Sequence, residues 1–397
     1  MFDIHRHISQ ELTTLKMKGN YRLFLHQVRD ESGNPYIKYK KDGKWIRAVN
    51  YCSNDYLAMS THPGVVEESI KATQMYGLSS GGTRNISGTT DAHISLEKKL
   101  ALWHKKEASL LFGSAYIANL ATLQTIGRRI PDLTFFSDEK NHASLIEGMR
   151  SGGNKKILFR HNDARDLEQK LAASDPFSPK MVVFESIYSM NGQIAPVSEI
   201  LRISRKHNAL TYIDEVHAIG MYGDRNAGYC DQTSIPNKPD IVNGTLSKAI
   251  GAFGGYIAGP AEIIDFVRSF GSGFIFTTSL PPSVCSGAEK SIDILMHDKV
   301  RVTKMKAMVS LFRKLLKEDD IHFKSNASHI TPITIGNPSK CKSVTDRLLS
   351  EFGIYIQPIN YPTVPYGDEC LRVIITAAHQ EDQIFHLVKC LKICLDG

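Results

Sequence analysis

The spacing of apolar positions changes character several times along the chain. Residues 2–30 place apolar and charged positions at helical spacing, closing in GNYRLFLHQV, which predicts a helical segment. YIKYKKDGKWIRAVNY (36–51) alternates on both sides of an Asp-Gly pair and predicts a hairpin. From about residue 63, helix-spaced segments alternate with short apolar runs. A helix is predicted over 63–76, stopped by Gly77. Strands are predicted at 109–112, in TFFSD, at ILFRHND (157–163), in MVVFESIYSMNG (181–192), in ALTYID and in YIAGP (256–260). One long helical stretch is predicted over about 282–318. Beyond 320 come short βαβ-like elements: HITPITIG, a helix over 340–351, GIYIQPINYPTVP, CLRVIITAAH and a closing helix. The pattern predicts an α/β fold with a mostly parallel central sheet flanked by helices, followed by a smaller α+β domain. The expected boundaries are an N-terminal helix and hairpin segment (1–60), a large α/β domain (61–295) and a small C-terminal domain (296–397).

Composition narrows this picture only modestly. A chain of 397 residues, 42% hydrophobic and 22% charged, can build a full globular core. The net charge of +7 is spread among interspersed acids and bases, so no nucleic-acid-binding tail is expected. Seven scattered cysteines, without CxxC spacing, favour a reducing compartment over a disulfide framework or a zinc site. No apolar run reaches membrane-span length. The opening MFDIHRHISQELTTLKMKG lacks a signal peptide's apolar centre and contains acids, so a cytoplasmic chain is expected.

The chemistry-bearing residues gather around two stretches. In ALTYIDEVHAIG an apolar strand ends at Asp214, with His217 close behind; in NGTLSKAIGAFGGY, Lys248 precedes a glycine cluster. A carboxylate leaving the C-terminal edge of a buried parallel strand lies where open α/β sheets bind ligands. A lysine and a carboxylate at one such edge suit pyridoxal phosphate. The lysine holds it as a Schiff base, and the carboxylate keeps the pyridine nitrogen protonated so that the ring accepts electrons. Taken alone, the lysine also fits a solvated loop, and the aspartate fits a helix cap. GAFGGY is no GxGxxG fingerprint, which disfavours a nicotinamide dehydrogenase. In ASLLFGSAYIANLATLQTIG a strand, a Gly-Ser turn and a helix start near Tyr116 form an anion site for the cofactor phosphate, or an ordinary βα turn. His142 opens a helix after an apolar strand, where an imidazole can stack on a ring or serve as a cap. SSGGTRNISGTT (79–90) combines glycines with hydroxyl side chains and allows close backbone approach to a ligand.

Eight strings, in order and spacing, resemble the α-oxoamine synthase family of fold-type I pyridoxal-phosphate enzymes: SGGTRNISGTT, GSAYIAN, SDEKNHASLIEG, FESIYSMNG, YIDEVHAIGMYG, NGTLSKA, GFIFTTSLPP and FGIYIQPINYPTVP. The resemblance runs from about residue 15 to 380. Within the family, TRNISGTT is the form of the branch that condenses glycine with succinyl-coenzyme A, whose product feeds tetrapyrrole and haem synthesis.

The resemblance implies roles position by position. Lys248 binds the pyridoxal 5'-phosphate and moves protons, Asp214 pairs with the pyridinium nitrogen, and His142 stacks on the ring. Ser189 and His217 bond the ring oxygen. Ser114, Ala115, Tyr116 and Thr245 hold the phosphate. Thr277 and Thr278 reach the phosphate of a partner subunit, which implies a homodimer with shared sites. Asn54 and Arg372 bind the glycine carboxylate. Arg22, Thr83, Asn85, Ile86 and Thr363 line the acyl pocket, and Ser137 and Lys156 contact coenzyme A. The chain departs from the family in LRVIITAAHQ, which lacks the prolines usual a few residues after the glycine-binding arginine, and in SMNG where Ser-Met-Asp-Gly is commoner. No Cys-Pro dipeptide occurs, so haem feedback through such motifs is not expected. The alternatives are an α-oxoamine synthase using another acyl-thioester and, further off, a cofactor-binding regulator that has lost catalysis.

Overall fold

The computed structural model describes residues 2–22 and 24–396. The chain divides into two units, Met1–Tyr56, Met190–Gly192 and Arg301–Gly397 forming one, and Leu57–Ser189 with Gln193–Val300 the other. The first unit opens with α1 (Ile4–Met17), β1 (Gln27–Arg29), β2 (Tyr36–Lys41) and β3 (Lys44–Asn50). The second runs through α2 (Pro63–Tyr76), α3 (Asp91–His104), β4 (Ala108–Phe112), α4 (Ala115–Arg129), β5 (Thr134–Asp138), α5 (Ala143–Gly152), β6 (Lys156–Phe159), α6 (Ala164–Ala172), β7 (Lys180–Glu185), α7 (Val197–Lys206), β8 (Leu210–Asp214), β9 (Ile241–Thr245), β10 (Gly255–Gly259), α8 (Ala261–Phe270), α9 (Ser272–Ile275) and α10 (Pro282–Leu295). The chain returns to the first unit with α11 (Val300–Glu318), β11 (Thr331–Thr334), α12 (Pro338–Phe352), β12 (Ile354–Tyr355), β13 (Pro358–Ile359), β14 (Cys370–Val373) and α13 (Glu381–Asp396).

A seven-stranded sheet, ordered β4-β10-β9-β8-β7-β5-β6, forms the middle of the second unit. The run from β9 to β6 is parallel, and β10 is antiparallel to both of its neighbours. Alternate strand residues feed two cores, because successive side chains leave a strand on opposite faces. Phe135, Met181, Val183, Tyr212 and Ile241 pack with residues of α4, α5 and α8. Phe136, Val182, Phe184, Ile213 and Val242 pack with residues of α6 and α7. Both faces are covered, which explains the near-continuous apolar runs in the sequence.

Four expectations differ from what is seen. The N-terminal helix ends at Met17, and its final stretch supplies β1. The long stretch 282–318 is two helices, α10 and α11. Asn226 Nδ2 donates to Leu295 O at 2.7 Å and to Asp298 O at 3.3 Å, satisfying the last carbonyl of α10 and one in the turn beyond it. The N-terminal segment also does not stand apart. β12 pairs in parallel with β3, so a four-stranded sheet (β1-β2-β3-β12) joins the two ends of the chain. GIYIQPINYPTVP is split, since β13 goes instead to an antiparallel sheet, β11-β14-β13. Among the described residues no helix is long and apolar enough to cross a membrane.

Candidate active site

The strand register assembles the second unit's polar groups along one sheet edge. Glu185 lies opposite Asp214, at the C-terminal ends of β7 and β8, and Asp214 opposite Asn243 in the middle of β9. Thr245 lies opposite Gly255, which lies opposite Phe112 at the end of β4. Because β10 runs against its neighbours, its start falls at the same edge as their ends. The turn after β4, the start of β10 and the turn after β9 therefore share that edge.

Asp214 is buried and accepts from three donors: Asn119 Nδ2 at 2.7 Å and Asn243 Nδ2 at 3.1 Å on Oδ2, and Val216 N–H at 2.9 Å on Oδ1. Lys248 Nζ lies 3.1 Å from His217 Nε2, within hydrogen-bond distance, and His217 is buried. His142 caps α5, its Nδ1 accepting from Ser144 N–H at 3.2 Å, while its own N–H donates to Glu185 Oε1 at 2.6 Å. Burial pushes the His142 imidazole below its ordinary pKa, against the opposing pull of Asp214 and with a further push from Lys248. Burial, reinforced by the Asp214 charge, pushes Glu185 well above the carboxylate range.

One end of the edge is built by α4. Ser114 is its N-cap, accepting from Ile117 N–H at 3.2 Å, which leaves the N–H groups of Ala115 and Tyr116 without intrahelical partners. A Cβ at Gly255 would stand 2.1 Å from Ala115 N, so only glycine lets the strand lie this close to the helix start. Thr245 lies in the adjoining turn, where its Oγ1 accepts from Ser247 N–H and donates to Gly254 O. A helix N-terminus for a phosphate, a buried carboxylate for a pyridinium and a lysine for an aldehyde make up the donor set that pyridoxal phosphate requires. The residues present fit that group.

The loop 79–90 is fastened to the segment that follows α9. Ser279 Oγ donates to Gly88 O at 2.7 Å, and Thr83 forms a β-bridge with Thr278. A Cβ at Gly88 would lie 2.2 Å from Gly82 O, which accounts for the glycine there. Thr83 Oγ1 donates to Asn85 Oδ1 at 2.7 Å, and Ile86 is 82% exposed. Thr277 and Thr278 are exposed, and Ser189 follows β7 half-buried. Arg84, by contrast, is structural: it makes a bidentate pair with Glu97 at 2.8 Å for both bonds.

The first unit holds two further groups by itself. Arg372 Nη1 donates to Asn54 Oδ1 at 3.1 Å, and its Nη2 donates to the Tyr56 hydroxyl at 3.3 Å. Arg22 donates to Thr363 Oγ1, and both residues are exposed. Two of the expected residues join no cluster. Lys156 is exposed at the start of the edge strand β6. Ser137 is fully buried in β5, accepting from Asn141 and donating to Asp138 O, so its hydroxyl is not presented to a coenzyme chain in this conformation. The sequence reading also passes over Asn119, Asn243, Glu185 and Tyr56. The available signal for Asn119 is a poor helix former among the buried, mostly apolar positions of α4.

A mostly parallel sheet with these groups at its C-terminal edge defines a fold-type I pyridoxal-phosphate transferase, and the sequence profile "Aminotransferase class I and II" matches residues 46–391. The chain is 46% identical to the 5-aminolevulinate synthase of Rhizobium meliloti over 98% of this chain and 96% of that protein. It is likewise 46% identical to the 5-aminolevulinate synthase of Paracoccus denitrificans, over 97% and 95%. The solved serine palmitoyltransferase of Sphingomonas wittichii superposes with a TM-score of 0.90 at 25% identity, covering 98% of this chain and 96% of that one. The chain belongs to the 5-aminolevulinate synthase family.

Proposed function

We propose that this protein condenses glycine with succinyl-coenzyme A, releasing coenzyme A and carbon dioxide to give 5-aminolevulinate, a tetrapyrrole precursor. The observation that carries the choice of thioester is the exposed Arg22 guanidinium paired with Thr363, read beside the full-length likeness to 5-aminolevulinate synthases. A terminal carboxylate needs such a cation, because burying it unpaired is costly.

Bound pyridoxal phosphate supplies an electron sink for the bond changes at the glycine α-carbon. The protein's own groups do the rest. The Lys248 amine takes the α-proton and later returns one, with His217 beside it fixing the position of Nζ. Asp214 would hold the pyridinium N–H, His142 would cover the ring, and Ser189 and His217 would bond the ring oxygen. Ala115, Tyr116, Ser114 and Thr245 receive the phosphate. Arg372, steadied by Asn54 and Tyr56, receives the glycine carboxylate. Thr83, Asn85 and Ile86 of the second unit, and Arg22 and Thr363 of the first, are assigned to the acyl group.

The working form is a homodimer in which Thr277 and Thr278 serve the neighbour's phosphate, a reading supported by the exposure of both residues. A reducing, cytoplasmic setting is supported by seven free cysteines. The deciding experiment presents glycine with a panel of acyl-coenzyme A thioesters, measures coenzyme A release and identifies the amino ketone. Succinyl-coenzyme A should be preferred. Equal or faster turnover of butyryl- or octanoyl-coenzyme A would assign the site to another α-oxoamine synthase reaction.

A further inference from the structure

We propose that Asn119 is a positioning residue whose single carboxamide sets both side chains assigned to the cofactor ring, Asp214 directly and His142 through Ser144. Asn119 is 1% exposed on the face of α4 that otherwise carries Ala118, Ala121, Leu123 and Ile126 into the core. A buried amide is costly unless its hydrogen bonds are made. Here they are: Nδ2 donates to Asp214 Oδ2 at 2.7 Å and to Ser144 Oγ at 2.9 Å, and Oδ1 accepts from the Tyr212 hydroxyl at 2.8 Å.

The chemistry of the partners fixes the direction of every proton in this chain of bonds. A carboxylate only accepts, so the nitrogen end of the amide must face Asp214 and the oxygen end must take the Tyr212 proton. Ser144 Oγ accepts from Asn119 and therefore keeps its own hydrogen to give. The acceptor is His142 Nδ1, 2.8 Å away, which also accepts the Ser144 backbone N–H. Nδ1 is thus the lone-pair nitrogen, and the ring proton sits on Nε2. One carboxamide, with Asn243 and the Val216 N–H, aims the Asp214 carboxylate and, through one hydroxyl, reinforces the tautomer and rotation of His142 that the Ser144 N–H also favours. Second partners of this kind commonly set the orientation of groups that touch a cofactor.

The inference rests on the assignment of Asp214 and His142 to the ring, and the test separates the two. Holoenzymes carrying Asn119→Leu, Asn119→Asp, Tyr212→Phe and Asp214→Asn are compared by cofactor dissociation constant, visible circular dichroism of the bound cofactor, and kcat and KM for glycine. Asn119→Leu keeps the heavy-atom count and the branching, in a larger side chain, and removes the bonds. It should weaken cofactor binding about tenfold or more and reduce the visible dichroism, with kcat falling and KM for glycine nearly unchanged. Asn119→Asp sets two carboxylates against each other and should be worse than leucine. Tyr212→Phe removes only the orienting proton and should move the same readings less, and it decides the matter if Asn119→Leu does not fold. A purely structural role would lower thermal stability while leaving dichroism, cofactor affinity and the kcat–KM split at wild-type values; that result overturns the proposal. If Asp214→Asn itself leaves cofactor affinity and dichroism unchanged, the ring assignment fails and the proposal falls with it.

Discussion

Around Asp214 the bonded side chains Asn119, Ser144, Tyr212 and Asn243 are each at most 1% exposed, and its donors lie within 3.1 Å. Around Arg372 the bonds are longer, 3.1 and 3.3 Å, the guanidinium is half-buried, and Arg22 and Thr363 are exposed. The first set is aimed before any ligand arrives. Dipoles fixed in a dry site cost no reorganisation during reaction. The second set is mixed: Tyr56 is buried and Arg372 half-buried, while Arg22 and Thr363 are exposed, so the Arg22 charge is screened by water. The contrast matches the separate tasks proposed for the two units. One holds a permanent ring and must not change, whereas the other binds and releases carboxylates at every turnover.

The largest expected effect tests the fixed set. Lys248→Ala should lower turnover by at least about a thousandfold, since it removes the group assigned to move the proton. Thermal unfolding of the cofactor-free protein should stay close to wild type, and the yellow colour of the bound cofactor should be lost. Normal colour together with residual turnover would show that another base does the work.

Next comes the second set. Arg372→Lys should raise KM for glycine by about tenfold to a hundredfold, because an ammonium cannot reproduce a planar fork. Cofactor affinity, measured by equilibrium dialysis, should not move. A parallel loss of cofactor would erase the distinction between the two sets.

Arg22→Leu should cut kcat/KM for succinyl-coenzyme A by about thirtyfold, with butyryl-coenzyme A and glycine little altered. Initial rates over the thioester panel measure this. Equal losses for both thioesters would place Arg22 away from the terminal carboxylate.

The smallest effect compares the units by stability. Burial pushes His104, in the second unit, and His379, in the first, down to about 3. An unfolded histidine titrates near ~6.5, so unfolding takes up a proton at each between those values. Each histidine's contribution is complete above about pH 6.5 and is lost as pH falls toward 3, at about 1.4 kcal/mol per pH unit. His104→Gln and His379→Gln should each reduce the protons taken up on unfolding by about half at pH 6.5 and about one near pH 5, measured by urea unfolding at several pH values. An unchanged slope in either variant would mean that histidine is not held neutral in the folded protein.

Much of the second unit is legible in the sequence because its signals are local. Apolar runs covered on both faces announce β5, β7 and β8. Ser114 and Gly77 mark the start of α4 and the end of α2 through short-range backbone chemistry. Asp214 and Lys248 stand out because each follows a strand. The end of α10 is not legible, since neither glycine nor proline marks it; the donor to the carbonyls at and just past its end is Asn226, roughly seventy residues upstream.

The chain by itself thus determined the strand–helix alternation, the edge at which chemistry gathers and the residues that announce pyridoxal phosphate, because periodicity, capping and turn geometry act over a few neighbours. Only the tertiary structure decided what aims those residues. Asn119 meets Asp214 across 95 positions, and Arg372 meets Asn54 across 318. The buried state of Ser137 and the joining of β3 to β12 belong to the same class. Each depends on which side chains the sheet order and strand register bring within hydrogen-bond reach, and no local pattern encodes that.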